Sequence, residues 1–161
     1  MAKWDNLLLF KKNSAEDYLK TAQNVAAWLK KYEVKKPAGK SWEIRSGAGS
    51  DEGDDLASKM TDRSIYSGAA GIGFFYIQLY EATDDKQYLD EAVEAAEYLL
   101  GTFQKELGVK PGIHGGITGE GFFAETLYQK TGEQKYRDYS IQVGDVAYET
   151  AVKEDGKEGN K

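Results

Sequence analysis

The chain contains no cysteine, two prolines and a single histidine. Without cysteine there is no disulfide framework, no thiolate nucleophile and no cysteine-based metal site within these 161 residues. Few prolines, with 40% hydrophobic and 30% charged residues, exclude a collagen-like chain, a coiled coil and a long disordered tail. Positive charge is in deficit: 21 Lys and Arg against 27 Asp and Glu leave a net charge of −6. Such a chain lacks the electrostatic footprint of a nucleic-acid binder or of a protein held on anionic lipid. Long apolar runs are missing as well. Leu7-Leu8-Leu9-Phe10, flanked by Asp5 and Lys11-Lys12, is too short for a secretion signal or a membrane span. These absences read as one soluble, cytoplasmic domain with its own core, partnered by neither nucleic acid nor membrane.

Glycine, by contrast, is plentiful at 18 residues, and it is clustered. The first stretch, 13–33, is glycine-free and places Tyr18, Leu19, Ala22, Val25, Ala26 and Leu29 on one helical face. Ser14 is its expected N-cap, Glu16 and Asp17 suit the first turn, and Lys30 and Lys31 suit the last. From 35 to 64, Pro37, Gly39, Gly47, Gly49 and Gly53 break every period, which predicts a long loop. Only Ser41-Trp42-Glu43-Ile44-Arg45 alternates like a short strand there. The run Asp51-Glu52-Gly53-Asp54-Asp55 lacks the ligand spacing of a calcium loop and reads as a solvated acidic segment.

An internal repeat follows. A shift of 48 residues lays Gly68, Gly71, Gly73, Phe74 and Phe75 on Gly116, Gly119, Gly121, Phe122 and Phe123. The same shift lays Leu79, Tyr80, Thr83, Tyr88 and Asp90 on Leu127, Tyr128, Thr131, Tyr136 and Asp138. A period of this size marks stacked units that cannot bury their apolar faces alone. Each unit reads as a helical hairpin, over 66–104 and 114–152. An inner helix that is nearly apolar all round (68–82, 116–130) is followed by an amphipathic outer helix (85–103, 133–150). Thr131-Gly132-Glu133-Gln134 has the spacing of a capping box at the joint. The helix over 13–33 matches the outer helices, because Tyr18, Leu19, Ala22, Ala26 and Leu29 fall 70 residues before Tyr88, Leu89, Ala92, Ala96 and Leu99. The expected order is outer, inner, outer, inner, outer: an all-α fold, an incomplete α/α-toroid of about two and a half hairpins.

The strings Gly68-x-x-Gly71-Ile72 opening an inner helix and Tyr88-Leu89-x-x-Ala92 on an outer one resemble the repeats of the lanthionine synthetase C-like family, the lantibiotic cyclases and their relatives. The resemblance covers about 65–147 and extends weakly to 13–34. It implies a ring of inner helices around a cavity where peptide cysteines add to dehydrated Ser or Thr. In catalytic relatives zinc assists, held by two cysteines and a histidine from late repeats. This chain, without cysteine, is expected to hold no metal, to stop short of catalytic competence and to be the N-terminal part of a longer protein or a truncated relative. Other α/α-toroids process sugars with paired carboxylates, and a helical-repeat binding module shares the layout; both remain alternatives.

The glycine-rich turns Tyr66-Ser67-Gly68 and His114-Gly115-Gly116 stand at helix N-termini, where unpaired N–H groups and the dipole suit an anion. Equally, their glycines serve tight packing. Tyr66, Ser67, Gly68, His114 and Gly116 are the candidate ligand-binding residues, for a peptide or small molecule at the inner-helix mouth. His114 suits acid–base work near neutral pH or is a solvated loop residue. It stands one residue out of register with the family's His-Gly pattern. Glu120 and Glu125 interrupt an apolar inner helix where the first repeat has Ile72 and Ile77. Each needs a partner, a wet cavity or an exposed face, and each is a weak catalytic candidate. The second inner helix lacks a following neighbour, so Phe122, Phe123 and Leu127 are expected to be partly open. Self-association or further repeats would cover them.

Overall fold

A computed structural model of the chain describes residues 14–42, 63–103 and 110–158, with side chains as far as 151. Leu7–Phe10, the second half of the expected strand (Glu43–Arg45) and the acidic run Asp51–Asp55 lie outside the described residues. The elements are α1 (Ala15–Leu29), β1 (Glu33–Lys36), β2 (Gly39–Trp42), α2 (Ala69–Thr83), α3 (Lys86–Gly101), α4 (Thr118–Thr131) and α5 (Gln134–Glu158).

Helix α1 starts where its cap chemistry dictates. The Ser14 hydroxyl accepts from the Asp17 N–H (3.2 Å) while the Asp17 carboxylate accepts from the Ser14 N–H (2.9 Å), a reciprocal capping box. Those hydrogen bonds from Ser14 also hold the Asp17 carboxyl below its ordinary range. The helix ends at Leu29, earlier than the expected 33. Lys31 and Tyr32 donate to carbonyls three residues back (3.0 Å each), tightening the last turn so that the chain leaves as a strand. β1 and β2 pair antiparallel in the register Glu33↔Trp42 to Lys36↔Gly39. The first strand had no legible signal, since Lys35-Lys36 does not alternate with apolar residues. Its tip is seated on α3: a Cβ at Gly39, where φ is +149°, would lie 2.4 Å from the Glu94 carbonyl oxygen. Only glycine lets the backbones approach so closely.

The 48-residue repeat is reproduced atom for atom at the hairpin joints. Asp84 (φ 56°) and Gly132 (φ 72°) are left-handed and donate their N–H to Tyr80 (2.8 Å) and Tyr128 (2.7 Å). Thr83 and Thr131 donate to the carbonyls of Leu79 and Leu127 and accept the N–H groups of Asp85 and Glu133. The expected Thr131–Gln134 capping box is therefore replaced. Thr131 caps Glu133, two residues on, and the Gln134 amide donates to the Asp138 carboxylate (2.9 Å).

The inner helices α2 and α4 lie against each other, and α3 and α5 back them. Small residues set the spacing. Gly73 of α2 faces the Phe123 ring of α4 and Ala95 of α3, and Gly121 faces Val143 of α5. Tyr76, Ile77, Leu99, Phe123, Leu127, Tyr136 and Val143 are fully buried. Of the three side chains expected to be partly open, only Phe122 is, at 47% exposure. Phe123 and Leu127 close onto the core because the Gly73 gap admits the Phe123 ring. A Cβ at Gly73 would sit 2.3 Å from that ring, whereas one at Gly144 would meet nothing within 4 Å. Gly73→Ala is accordingly expected to destabilise by about 1–3 kcal/mol through overpacking. Gly144→Ala should stabilise by roughly 0.5–1 kcal/mol through backbone entropy. Urea unfolding of both variants checks the opposite signs.

Candidate functional site

The two glycine-rich turns, 63–68 and 110–117, meet at the N-terminal ends of α2 and α4. One backbone hydrogen bond joins them, from the Tyr66 N–H to the His114 carbonyl (3.1 Å). Each inner helix is pressed onto the turn before it at the repeat-equivalent position. A Cβ at Gly71 would fall 2.1 Å from the Ile65 carbonyl oxygen, and one at Gly119 would fall 2.2 Å from that of Ile113. The N–H groups of Ala70 and Gly71 donate to the carbonyls of Arg63 (3.2 Å) and Ser64 (3.3 Å), and the Ile117 N–H donates to Lys110 (3.2 Å). These amides, offered by the sequence to an anion, are engaged by the turns themselves.

The candidate residues separate into a rim and a floor. Tyr66 (80% exposed), Ser67 and His114 stand in solvent on the rim, with Gly68 and Gly116 buried behind them. The Ser67 N–H donates to the Ser64 hydroxyl (3.2 Å), which shapes the first turn. Beside the rim, Phe74 and Phe122 bring their rings to 5.5 Å, one from each inner helix. Glu120 lies in the floor, 5% exposed, and Glu125 is half-buried further along α4, where it accepts from Gln129 (3.5 Å).

Glu120 has its partner in Arg63, from the turn before α2. Arg63 Nε donates to Oε1 (3.0 Å) and Nη2 to Oε2 (2.5 Å), a bidentate pair. The same guanidinium donates to the Leu99 carbonyl (2.9 Å), the Tyr139 hydroxyl (2.9 Å) and the Thr102 hydroxyl. Tyr139 in turn donates to Glu120 Oε2 (2.5 Å). Both carboxylate oxygens are thus occupied by protein donors. Burial disfavours the Arg63 charge, but the adjacent Glu120 carboxylate outweighs it and raises the affinity for the proton. Sequence reasoning missed Arg63. The available signal was a carboxylate at an apolar repeat position, which demands a countercharge without naming it.

Among the described residues no group of three or more His, Cys, Asp or Glu side chains is placed to hold a metal ion. Among them, too, no helix is long and apolar enough to cross a membrane.

Paired apolar inner helices entered through glycine turns, each backed by an amphipathic outer helix, define an α-helical hairpin repeat, here an incomplete α/α-toroid. The family model for lanthionine synthetase C-like protein matches residues 59–157, well over half of the chain. The chain belongs to the lanthionine synthetase C-like family. No curated protein and no solved structure matches it.

Two outcomes are expected from the buried cluster. Arg63→Met strands the Glu120 carboxylate and should cost about 3–5 kcal/mol in urea unfolding. Adding Glu120→Leu should recover most of that loss, and a double variant no more stable than the single one would refute the pairing. The Tyr139 phenol is pushed well above its ordinary value of 10.0 by burial and by Glu120, with Arg63 opposing only in part. A group that holds its proton more tightly when folded adds stability below its unfolded pKa and loses it as pH rises towards the folded one. Stability should therefore fall above pH 10, and Tyr139→Phe should reduce the slope. Tyr76 and Tyr136, raised mainly by burial, sustain the remainder.

Proposed function

We propose that the chain supplies consecutive hairpins to a peptide-modifying toroid, with the rim of Tyr66, Ser67, Gly68, His114 and Gly116 turned towards the peptide. The observation that carries this reading is the exposure of Tyr66 and His114 on two turns fixed to each other and braced from below. A rim of that kind holds the backbone that carries one phenol and one imidazole, so that binding has only the two side chains to order, which favours affinity. The family resemblance implies a zinc ion held by two cysteines and a histidine. A chain with no cysteine and one histidine does not fit that donor set, so no chemical step is assigned to zinc on these residues. In this reading the chain binds and orients the peptide, and thioether formation belongs to residues outside it. Phe122, at the open edge of α4, is where further repeats or a second copy would continue the ring.

A linear peptide carrying one cysteine and one dehydroalanine tests both halves. On titration, amide resonances of 66–68 and 114–116 should shift. Tyr66→Ala and His114→Ala should each weaken binding by about three- to tenfold, or roughly 0.7–1.4 kcal/mol. The peptide's free thiol should persist at the rate seen without protein. Binding that leaves the rim unshifted would sink the rim assignment, and accelerated thiol loss would sink the division of labour.

A further inference from the structure

Helix α1 has two apolar stripes, and the core uses one of them. Leu19, Ala22, Ala26 and Leu29 pack inward. Tyr18, Val25, Trp28 and Tyr32 stay 64%, 42%, 44% and 43% exposed. With exposed Thr21 they recur at alternating steps of three and four residues, the spacing of a seam between two helices. The ring centroids of Trp28 and Tyr32 lie 4.7 Å apart, so the stripe runs on past Leu29, where α1 ends. Beside it stand Asp17, Asn24 and Lys31, seven residues apart and all exposed. The two hydrogen bonds that Asp17 accepts from the Ser14 N–H and hydroxyl both fall on Oδ2, so Oδ1 remains for another donor. Lys30 is drawn to Glu91 (3.8 Å), whereas Lys31 has no ion pair among the described residues.

This pattern matches itself when reversed. A second α1 laid antiparallel, with a two-fold axis beside Asn24 and Val25, sets Asp17 opposite Lys31 of the copy and Tyr18 opposite Tyr32. The same axis sets Thr21 opposite Trp28, small against large, and Val25 beside Val25. The helix dipoles then oppose each other as well. A parallel copy would instead put Asp17 on Asp17 and Lys31 on Lys31. We propose that the chain forms a two-fold symmetric dimer through the Tyr18–Tyr32 stripe of α1. Acid at one end of the stripe and base at the other complement the same stripe reversed, so the occupant is a second copy of this chain. The stripe and Phe122 lie on different helices, so the two surfaces are tested apart. With 15 residues, α1 is about 22 Å long. A seam of that length sits at the low end of interface sizes, and a dissociation constant of about 10–100 μM is expected.

Sedimentation equilibrium of the full chain, from about 1 to 500 μM, tests the dimer. Val25→Asp, a change at an exposed position, sets two carboxylates at the axis and should weaken association by at least about tenfold. Lys31→Glu, which meets Asp17 of the copy, should weaken it by about threefold, and Phe122→Ser should leave it unchanged. Because the chain is free of cysteine, a second measurement is clean. Asn24→Cys, beside the axis, should oxidise to a disulfide-linked dimer faster than Gln23→Cys, on the side of α1 away from the stripe. A monomer throughout the range, or a dimer lost with Phe122→Ser and kept with Val25→Asp, would overturn the proposal. So would a tighter dimer with Lys31→Glu, which would mean a parallel pairing, or equal oxidation rates of the two cysteine variants.

Discussion

A single guanidinium ties the two hairpins together. Arg63 leaves the turn before α2 and reaches the end of α3 through Leu99 and Thr102, the first turn of α4 through Glu120, and α5 through Tyr139. Burying an arginine and a glutamate costs several kcal/mol of solvation each. The arrangement survives because every acceptor around them is a protein oxygen in hydrogen-bond range. Hydrophobic contact between α2 and α4 is directional only where the Phe123 ring fills the Gly73 gap. The bidentate pair permits one register, and the rim above it inherits that register through the Tyr66–His114 backbone bond.

The two repeats bury their acids differently at facing positions. In the first, the inner helix has Ile72 and the outer helix Glu91; in the second, the inner has Glu120 and the outer Tyr139. Each acid recruits a cation from outside its own hairpin: Arg63 for Glu120, and Lys40 of β2 for Glu91 (2.8 Å). Burial works against the Lys40 charge, and Glu91 with Glu33 more than restores it, so its affinity for the proton is raised. The segments between helices are thereby held by buried charge as well as by packing. The β-hairpin tip follows the same logic, with Gly39 pressed against the α3 backbone and Ala38 against Gly101.

The turns that carry the candidate residues sit on a tightly packed scaffold. Gly71 and Gly119 bring each inner helix down onto a carbonyl of its turn, so the exposed side chains of Tyr66 and His114 project from backbone already committed to hydrogen bonds. Glu120 sits below them as part of the frame, held by Arg63 and Tyr139, while Glu125 lies along α4 with Gln129. The sequence singled out both carboxylates together, and the fold gives them different surroundings.

Much of the architecture was legible without coordinates. The 48-residue shift, the glycines at its corresponding positions, the Ser14 cap and the apolar inner helices are local or periodic features, and local sequence carries them in the spacing of its residues. The early end of α1 and the strand at Glu33–Lys36 were not legible, because a two-stranded pairing is stabilised by what it packs against, here α3, rather than by its own pattern. Nor was the partner of Glu120. A buried carboxylate announces a need for charge, but Arg63 lies 57 residues away, and its repeat-equivalent position holds Pro111 rather than a cation to point to it. The sequence by itself determined which segments are helices and how they repeat. Only the tertiary structure decided which charges meet and which aromatic faces stay open, because those depend on distances between residues that no local pattern connects.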